Sequence, residues 1–152
     1  MIPDSPRARA LAFVEGHNVV TLATAAGGPW AAAVFYASRG FTLYFLSAAT
    51  TRHARAIAAD PRVAGTIHDD TADWRAVRGV QLEGTARALA GEEAALARRI
   101  YGAKFPVVGR LEGAPAAIVE ALAKVTWYEL VPARLHLVDN ALGFGHRDEI
   151  AL

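Results

Sequence analysis

The sequence predicts a mainly antiparallel β fold, a barrel or a sandwich, with short helices at its periphery. β-Branched and aromatic runs recur along the 152 residues, and turns of hairpin length separate most of them. Helical patterns are too few for a doubly wound parallel sheet, which needs a helix after nearly every strand. The length suits a single domain spanning residues 1–152.

The N-terminal half predicts one helix and three strands. Asp4 or Ser5 is a candidate N-cap, and Pro6 suits the first helical turn. The runs "NVVTLATA" and "WAAAVFYA" follow, and Gly27 and Gly28 between them permit the positive φ angles of a tight hairpin. A short "SRG" turn leads into "FTLYFLS", so the three runs predict a three-stranded meander.

The middle of the chain predicts a helix and two strands. Residues 51–60 lack glycine and end before Pro61, which favours a short helix. "RVAGTIH" is typical of a strand and "DDTADW" of a polar turn. "RAVRGVQLEGTARAL" is long for one strand, so Gly79 and Gly84 predict a bend or bulge within it.

The C-terminal part predicts two helices and a strand pair. "GEEAALARRIYG" begins with acidic and ends with basic residues, an order that complements the helix dipole. "APAAIVEALA" is a weaker helical pattern. "VTWYELVPARLHLVD" predicts two strands interrupted at Pro132, and the remaining residues have no clear period.

Composition excludes several classes of function. A net charge of +1 gives no global attraction to nucleic acid or to anionic lipid, so we expect neither as a partner. The absence of cysteine excludes disulfides, thiolate metal sites and a cysteine nucleophile. No signal-peptide pattern and no apolar run near ~18 residues is present, so we expect a soluble cytoplasmic protein. The hydrophobic fraction of 53% suggests that some surface is buried against a second copy.

The junction "TTRHA" is the best candidate for a binding site. It lies where a strand ends and a helix begins, and the first turn of a helix presents unpaired N–H groups to an anion. Arg52 adds a planar donor fork suited to phosphate, and His53 adds a second donor. The alternative is structural: Thr50 or Thr51 caps the helix, and Arg52, His53 and Arg55 form a solvated face.

Other chemistries have weaker support. No serine lies in a nucleophile-elbow pattern, and the histidines lack the spacing of a zinc site. "HDDTAD" (68–73) has the oxygen ligands of a divalent-cation site but no known loop signature, and a polar hairpin loop is the favoured interpretation. We therefore predict no metal site. Neither a dinucleotide-binding glycine motif nor a P-loop lysine is present.

The order of these motifs resembles a known family. "GGPW", "FTLYFLS", "TTRHA", "DPRVAGT" and "RGVQLEGTAR" follow one another as in the FMN-binding split-barrel proteins related to pyridoxamine 5′-phosphate oxidase. The likeness runs from Ala8 to Arg147, and "DNALGFG" with "FPV" resembles an uncharacterised bacterial branch. The resemblance implies a Greek-key antiparallel split β-barrel with short peripheral helices, which forms a homodimer.

The resemblance also implies where FMN would lie. In the family, a basic pair before the first inserted helix grips the FMN phosphate, which here corresponds to Arg52 and His53, with Thr51 before them. Histidine replaces the usual lysine. The family lays the flavin ring along two strands, and the matching positions in this sequence are Ala32, Val34, Leu46 and Ser47.

Further contacts in the family come from the partner subunit. A glutamine of the long strand often reaches the flavin, but the matching position here is Gly79, so Gln81 is the substitute on the same face. The C-terminal segment also contacts the partner's flavin, which implies Asn140, Phe144 and Arg147.

These features imply a homodimeric FMN-dependent oxidoreductase that acts on an unknown small-molecule substrate. NADH or NADPH is a candidate electron donor, and no residue is nominated as catalytic. The segment that holds substrate phosphate in pyridoxamine-phosphate oxidases has no counterpart in "YGAKFPVVGRLEG", so we do not expect that activity. Two alternatives remain open: a haem-binding or haem-degrading split barrel with His136 or His146 as axial ligand, and a flavin-binding module without turnover.

Overall fold

The computed structural model describes residues 5–152 and contains one sheet with five short helices. The strands are β1 (Val19–Thr24), β2 (Trp30–Phe35), β3 (Ala37–Arg39), β4 (Thr42–Ser47), β5 (Arg62–His68), β6 (Arg78–Leu89), β7 (Thr126–Asp139) and β8 (Arg147–Glu149). The helices are α1 (Pro6–Gly16), α2 (Arg52–Ala59), α3 (Gly91–Lys104), α4 (Pro106–Gly109) and α5 (Ala116–Ala123). Two 3-10 turns lie at Trp74–Ala76 and Asn140–Leu142.

The sheet is antiparallel throughout and curls into a half-barrel. Its strand order is β2-β1-β5-β6-β7-β4-β3, and β8 pairs with β7. Large apolar side chains fill the concave side, among them Leu22, Phe45, Leu130 and Leu135, each fully buried. The predicted antiparallel split barrel with peripheral helices is confirmed.

The predicted three-stranded meander is wrong. β1 and β2 form the expected hairpin, with positive φ at Gly27 and Gly28, but β4 pairs with β3 and β7 instead of β2. The chain changes direction at Tyr36, whose ring is fully buried and whose hydroxyl donates a hydrogen bond to the carbonyl of Val14. β2 and β3 therefore lie at the two edges of the sheet, although they are adjacent in sequence.

The predicted interruption at Pro132 is also wrong, because β7 runs unbroken through it. Gly84 pairs with Pro132 and Glu83 with Arg134, which leaves Ala133 as the extra residue of a bulge. Proline is tolerated at a bulge because the ladder hydrogen bond is already missing there. The predicted irregularity at Gly84 is confirmed.

The bend expected at Gly79 is absent, because Gly79 pairs regularly with His68 and Val138. A Cβ at Gly79 would lie 2.8 Å from the carbonyl oxygen of Ile67. The glycine therefore serves close packing between β5 and β6.

The helices cover only part of the barrel. Ser5 caps α1 by accepting a hydrogen bond from the Ala8 N–H, and the alternative cap, Asp4, lies outside the described residues. The helices α3, α4 and α5 pack a second apolar cluster on the convex side of β3, β4 and β7, around Tyr101 and Trp127. Among the described residues, every helix is too short or too polar to span a bilayer.

Candidate functional site

The junction between β4 and α2 is built around two hydroxyl groups. α2 begins at Arg52, and Thr51 is its N-cap: the Thr51 hydroxyl accepts from the Ala54 N–H at 3.2 Å and donates to the Ala48 carbonyl at 3.1 Å. The predicted helix start is confirmed, and the capping interpretation is correct for Thr51. The backbone N–H groups of Arg52 and His53 belong to the unsatisfied first turn and remain available to an anion.

The Arg52 guanidinium is held by an aromatic ring. Its central carbon lies 4.2 Å from the ring centroid of Trp30, the first residue of β2, and Trp30 is 44% exposed. Within the described part of the chain Arg52 has no carboxylate partner, and the first turn of α2 contains no acidic residue. The stacked guanidinium therefore keeps its N–H donors free for a ligand.

His53 extends the same cluster toward the barrel interior. Its Nε2 lies 2.9 Å from the hydroxyl of Ser47, a buried residue, and the Ser47 and Thr51 hydroxyls are 3.0 Å apart. Burial lowers the pKa of His53. The imidazole is therefore mainly neutral at neutral pH, where it acts as a hydrogen-bonding group instead of a second positive charge.

The four predicted ring-binding positions are divided between the two faces of the sheet. Ala32 and Val34 are half-buried on the concave face, and Val34 packs against the main core. Leu46 packs in the second cluster on the convex face, whereas Ser47 is buried on the concave one. The exposed convex side of β2 carries Ala31, Ala33 and Phe35 instead. A run of alanines has no alternation, so the sequence could not distinguish the two faces.

A second polar group lies in a groove of about 230 Å³ on the convex side of the sheet. Gln81 sits between Thr66 of β5 and His136 of β7 in the strand register, and Arg147 of β8 lines the same groove. Arg134 there forms ion pairs with Glu83 at 3.8 Å and Glu149 at 3.5 Å. The predicted residues Gln81 and Arg147 are thus brought together.

The last two predicted residues belong to the segment between β7 and β8. Asn140 has a structural hydrogen-bonding role, since its side chain donates to the Trp74 carbonyl at 2.7 Å and accepts from the Gly145 N–H at 3.0 Å. Phe144 is 83% exposed and packs edge-on against Trp74. Sequence reasoning missed Trp74, because the pairing of two polar loops far apart in the chain has no local signal.

The side chains of Ser47, Thr51, Arg52 and His53 form the α2 cluster, and residues 140–149 form the C-terminal segment. The two lie toward opposite ends of β6. Ile57 of α2 borders a pocket with Ala86, whereas Arg78 pairs with Asp139, next to the C-terminal segment. The eight residue-to-residue steps from Arg78 to Ala86 span roughly 26 Å of strand. Among the described residues no hydrogen bond or ion pair joins the two groups.

The acidic loop after β5 uses its carboxylates internally. Asp69 accepts from His17 Nε2 at 2.6 Å and from Arg78 at 3.3 Å, and Asp73 pairs with Arg75. Burial alone would raise the pKa of Asp69, but the His17 hydrogen bond and the Arg78 charge outweigh it and lower that pKa. Over residues 5–152, no group of three or more His, Asp or Glu side chains is placed to hold a metal ion.

The strand order, the inserted helices and the basic start of α2 define a split-barrel protein of the pyridoxamine 5′-phosphate oxidase class. Residues 7–139 match the model of the pyridoxamine 5′-phosphate oxidase family, and the chain belongs to that family. It is similar to the UPF0306 protein YhbP of Escherichia coli O157:H7. The two are 34% identical over 137 residues, which cover 89% of this chain and 85% of the relative.

Solved structures share the fold. A heme binding protein from Mycobacterium smegmatis superposes with a TM-score of 0.75 at 27% identity, over 99% of this chain and 60% of that one. A FAD-binding protein from Mesorhizobium loti superposes with a TM-score of 0.65 at 19% identity, over 83% of this chain and 88% of that one. The family membership inferred from the motif order is confirmed.

The environment of His53 predicts a pH-dependent stability. The pKa of His53 is lower in the folded protein than in the unfolded chain, so the unfolded chain binds the proton more readily. As the pH falls below about 6.5, protonation therefore favours the unfolded chain and lowers the free energy of unfolding. His53→Gln removes the titrating group. We therefore expect the wild type to lose more free energy of unfolding than the variant between about pH 7 and pH 5.5.

Urea denaturation at the two pH values measures the difference. The other four histidines are common to both proteins, so their titration cancels in the comparison. Equal losses in wild type and variant would show that His53 titrates as it does in the unfolded chain.

Proposed function

We propose that this protein binds FMN at the start of α2 and uses it, as a homodimer, to oxidise or reduce a small molecule. The observation that carries the proposal is the Arg52 guanidinium, which is stacked on Trp30 with its donors free at a helix start. Membership of the pyridoxamine 5′-phosphate oxidase family and the FAD-binding neighbour support a flavin as the ligand class.

The residues present fit the phosphate end of FMN. A phosphate there would accept from Arg52 and from the N–H groups of Arg52 and His53, in the field of the helix dipole. The lowered pKa of His53 makes it a weaker partner for the phosphate than the lysine usual in the family. Arg52 would therefore supply most of the side-chain contribution to phosphate binding.

The proposed dimer interface is the exposed convex side of β2, β1 and β5. Ala31, Ala33 and Ala64 are exposed there, and Phe35 is 59% exposed, so close approach of a second sheet meets few large side chains. A second copy would also allow Phe144 or Gln81 of one subunit to reach the α2 cluster of the other. The aromatic residues Trp127 and Tyr128 of β7 pack inside the protomer and do not contribute to this face.

The proposed reaction depends on the cofactor more than on side chains. Bound FMN would supply hydride or single-electron transfer, while the protein supplies binding, orientation and exclusion of water. The cluster contains neutral imidazole and hydroxyl groups, and its one strong cation is assigned to the phosphate. We propose NADH or NADPH as the electron donor.

Haem binding is the second candidate function. His136 is half-exposed in the groove beside Gln81, and no protein hydrogen bond occupies its ring among the described residues. His146, in contrast, is paired with Asp148 at 3.0 Å, so His136 is the better axial ligand. The heme binding neighbour from Mycobacterium smegmatis supports this candidate. The absorption spectrum of the purified protein distinguishes a flavin from a haem.

We expect Arg52→Ala to weaken FMN binding roughly 10- to 150-fold. The substitution removes a hydrogen-bonded charge contact to the phosphate, worth ~1.5–3 kcal/mol. Riboflavin lacks the phosphate, so its affinity should change little. Titration of flavin fluorescence against wild type and variant measures both affinities.

Arg55→Ala is the matched control. Arg55 is exposed on the same helix and carries the same charge, but it follows the first turn, so FMN affinity should stay within about twofold of wild type. Equal FMN affinities of wild type and Arg52→Ala would remove the phosphate role of Arg52.

We expect the wild type to sediment as a dimer and Ala33→Arg to dissociate it. The new charge would be buried without a partner in an interface of at least roughly 1,200 Å². The control Ala117→Arg places the same charge on the exposed side of α5, away from β2, and should remain dimeric. Analytical ultracentrifugation at micromolar protein with FMN present measures the mass, and a monomeric wild type would refute the proposed interface.

We expect NADH or NADPH to bleach the flavin absorbance of the FMN-loaded protein without oxygen. Readmission of air should restore the absorbance, because oxygen reoxidises the reduced cofactor. Stopped-flow absorbance measures the rate with each nucleotide. A flavin that stays oxidised with both would favour a binding module that does not use these donors.

A further inference from the structure

The outer side of the α3–α4 hairpin holds a basic groove that the flavin proposal does not use. It has a volume of about 450 Å³, within the roughly 300–1,000 Å³ typical of small-molecule pockets. Three arginines line it, Arg98 and Arg99 from α3 and Arg110 after α4, and none of its lining residues is acidic. We propose that this groove binds a small ligand with two adjacent phosphate groups, such as a nucleoside diphosphate.

The three guanidinium groups have no counterion in the part of the chain that the structure describes. No ion pair or hydrogen bond engages Arg98, Arg99 or Arg110 within residues 5–152, whereas Arg62, Arg75, Arg78, Arg87 and Arg134 each pair with a carboxylate. No acidic residue of α3 lies at a helical spacing that would let it pair with Arg98 or Arg99. The positions three and four residues from Arg98 and Arg99 are Ala94, Ala95, Leu96, Tyr101, Gly102 and Ala103.

The convergence of these charges is built into the backbone. A Cβ at Gly109 would lie 2.7 Å from the Gly102 carbonyl oxygen, so the two glycines allow α4 to pack directly on α3. This contact places Arg110 beside the last turns of α3, next to Arg98 and Arg99. Three positive charges therefore line one groove, where a bound polyanion would neutralise them.

The shape and chemistry of the groove favour a diphosphate over a single anion. Arginine presents a planar fork that matches phosphate oxygens in pairs, and three such forks exceed what one carboxylate can accept. Pro106 supplies an apolar surface for the rest of the ligand. The groove is separate from the α2 cluster, since no residue is common to both.

Isothermal titration calorimetry with ADP and with inorganic pyrophosphate tests the proposal. We expect wild type to bind both, and Arg98→Gln/Arg99→Gln and Arg110→Gln each to bind at least ~10-fold more weakly, because charge-assisted contacts are lost. Arg75→Gln removes one charge from a distant exposed site and should bind ADP as wild type does. Arg52→Ala should also retain ADP affinity, so the result is independent of whether FMN binds at α2.

Gly109→Ala tests the geometry with all three arginines kept. The added Cβ must push α4 from α3, so ADP affinity should fall, with circular dichroism as the check on folding. If that variant unfolds, the arginine variants alone decide. The proposal is overturned if wild type binds neither probe, if Arg75→Gln weakens ADP as much as the groove variants do, or if Arg52→Ala abolishes binding. Binding of a short single-stranded RNA without binding of ADP would also overturn it.

Discussion

The close approach of two backbones at Gly84 organises the whole sheet. A Cβ there would lie 2.2 Å from the Val131 carbonyl oxygen and 2.8 Å from the Cα of Pro132, so a side chain at this position would separate β6 from β7. These strands form the longest ladder of the barrel. The bulge between them bends β7, so that its first half pairs with β4 and its second half with β8. The elements that carry the α2 junction and the C-terminal segment are thereby set at different ends of one strand pair.

The α2 cluster depends on a second constraint, the turn of the hairpin that precedes β2. Positive φ angles at Gly27 and Gly28 turn the chain so that Trp30 begins β2 beside the start of α2. The positive φ of Gly28 is what requires glycine there, since a Cβ would meet only an Arg52 terminal nitrogen, at an ordinary contact distance of 3.8 Å. Stacking on Trp30 restricts the guanidinium before any ligand arrives, which reduces the conformational entropy that binding would cost.

Local signals in the sequence predicted the local parts of this structure. The Thr51 cap and the Asp60–Pro61 stop define α2 within one residue of the expectation, because capping depends on neighbouring residues. The choice of strand partner, in contrast, does not depend on residues that are neighbours in sequence. The "SRG" turn predicts a hairpin but cannot show that Tyr36 is buried and redirects the chain, so β4 joins the opposite edge of the sheet.

The candidate site likewise has a part that local sequence signals predict and a part that depends on contacts between distant segments. The place of Arg52 and His53 in the first turn of a helix was predictable from local signals, whereas the pairing of Trp74 with Phe144 depends on contact between loops about seventy residues apart. The arginine groove likewise depends on the contact of Gly102 with Gly109, and α4 itself is only four residues long. Periodicity cannot detect so short a helix.

The α3–α4 junction connects the arginine groove to the edge strand of the proposed flavin site. Lys104, the last residue of α3, donates to the carbonyls of His17 and Tyr36, and burial lowers its pKa. Phe105 packs edge-on against Phe35 at the end of β2, with ring centroids 5.7 Å apart. A ligand bound in the groove would hold α4 against α3, and so would hold Phe105, which lies between these helices, against Phe35 on the exposed face of β2. Since that face is also the proposed dimer interface, occupancy of the groove and packing of the interface would be coupled through the Phe35–Phe105 contact.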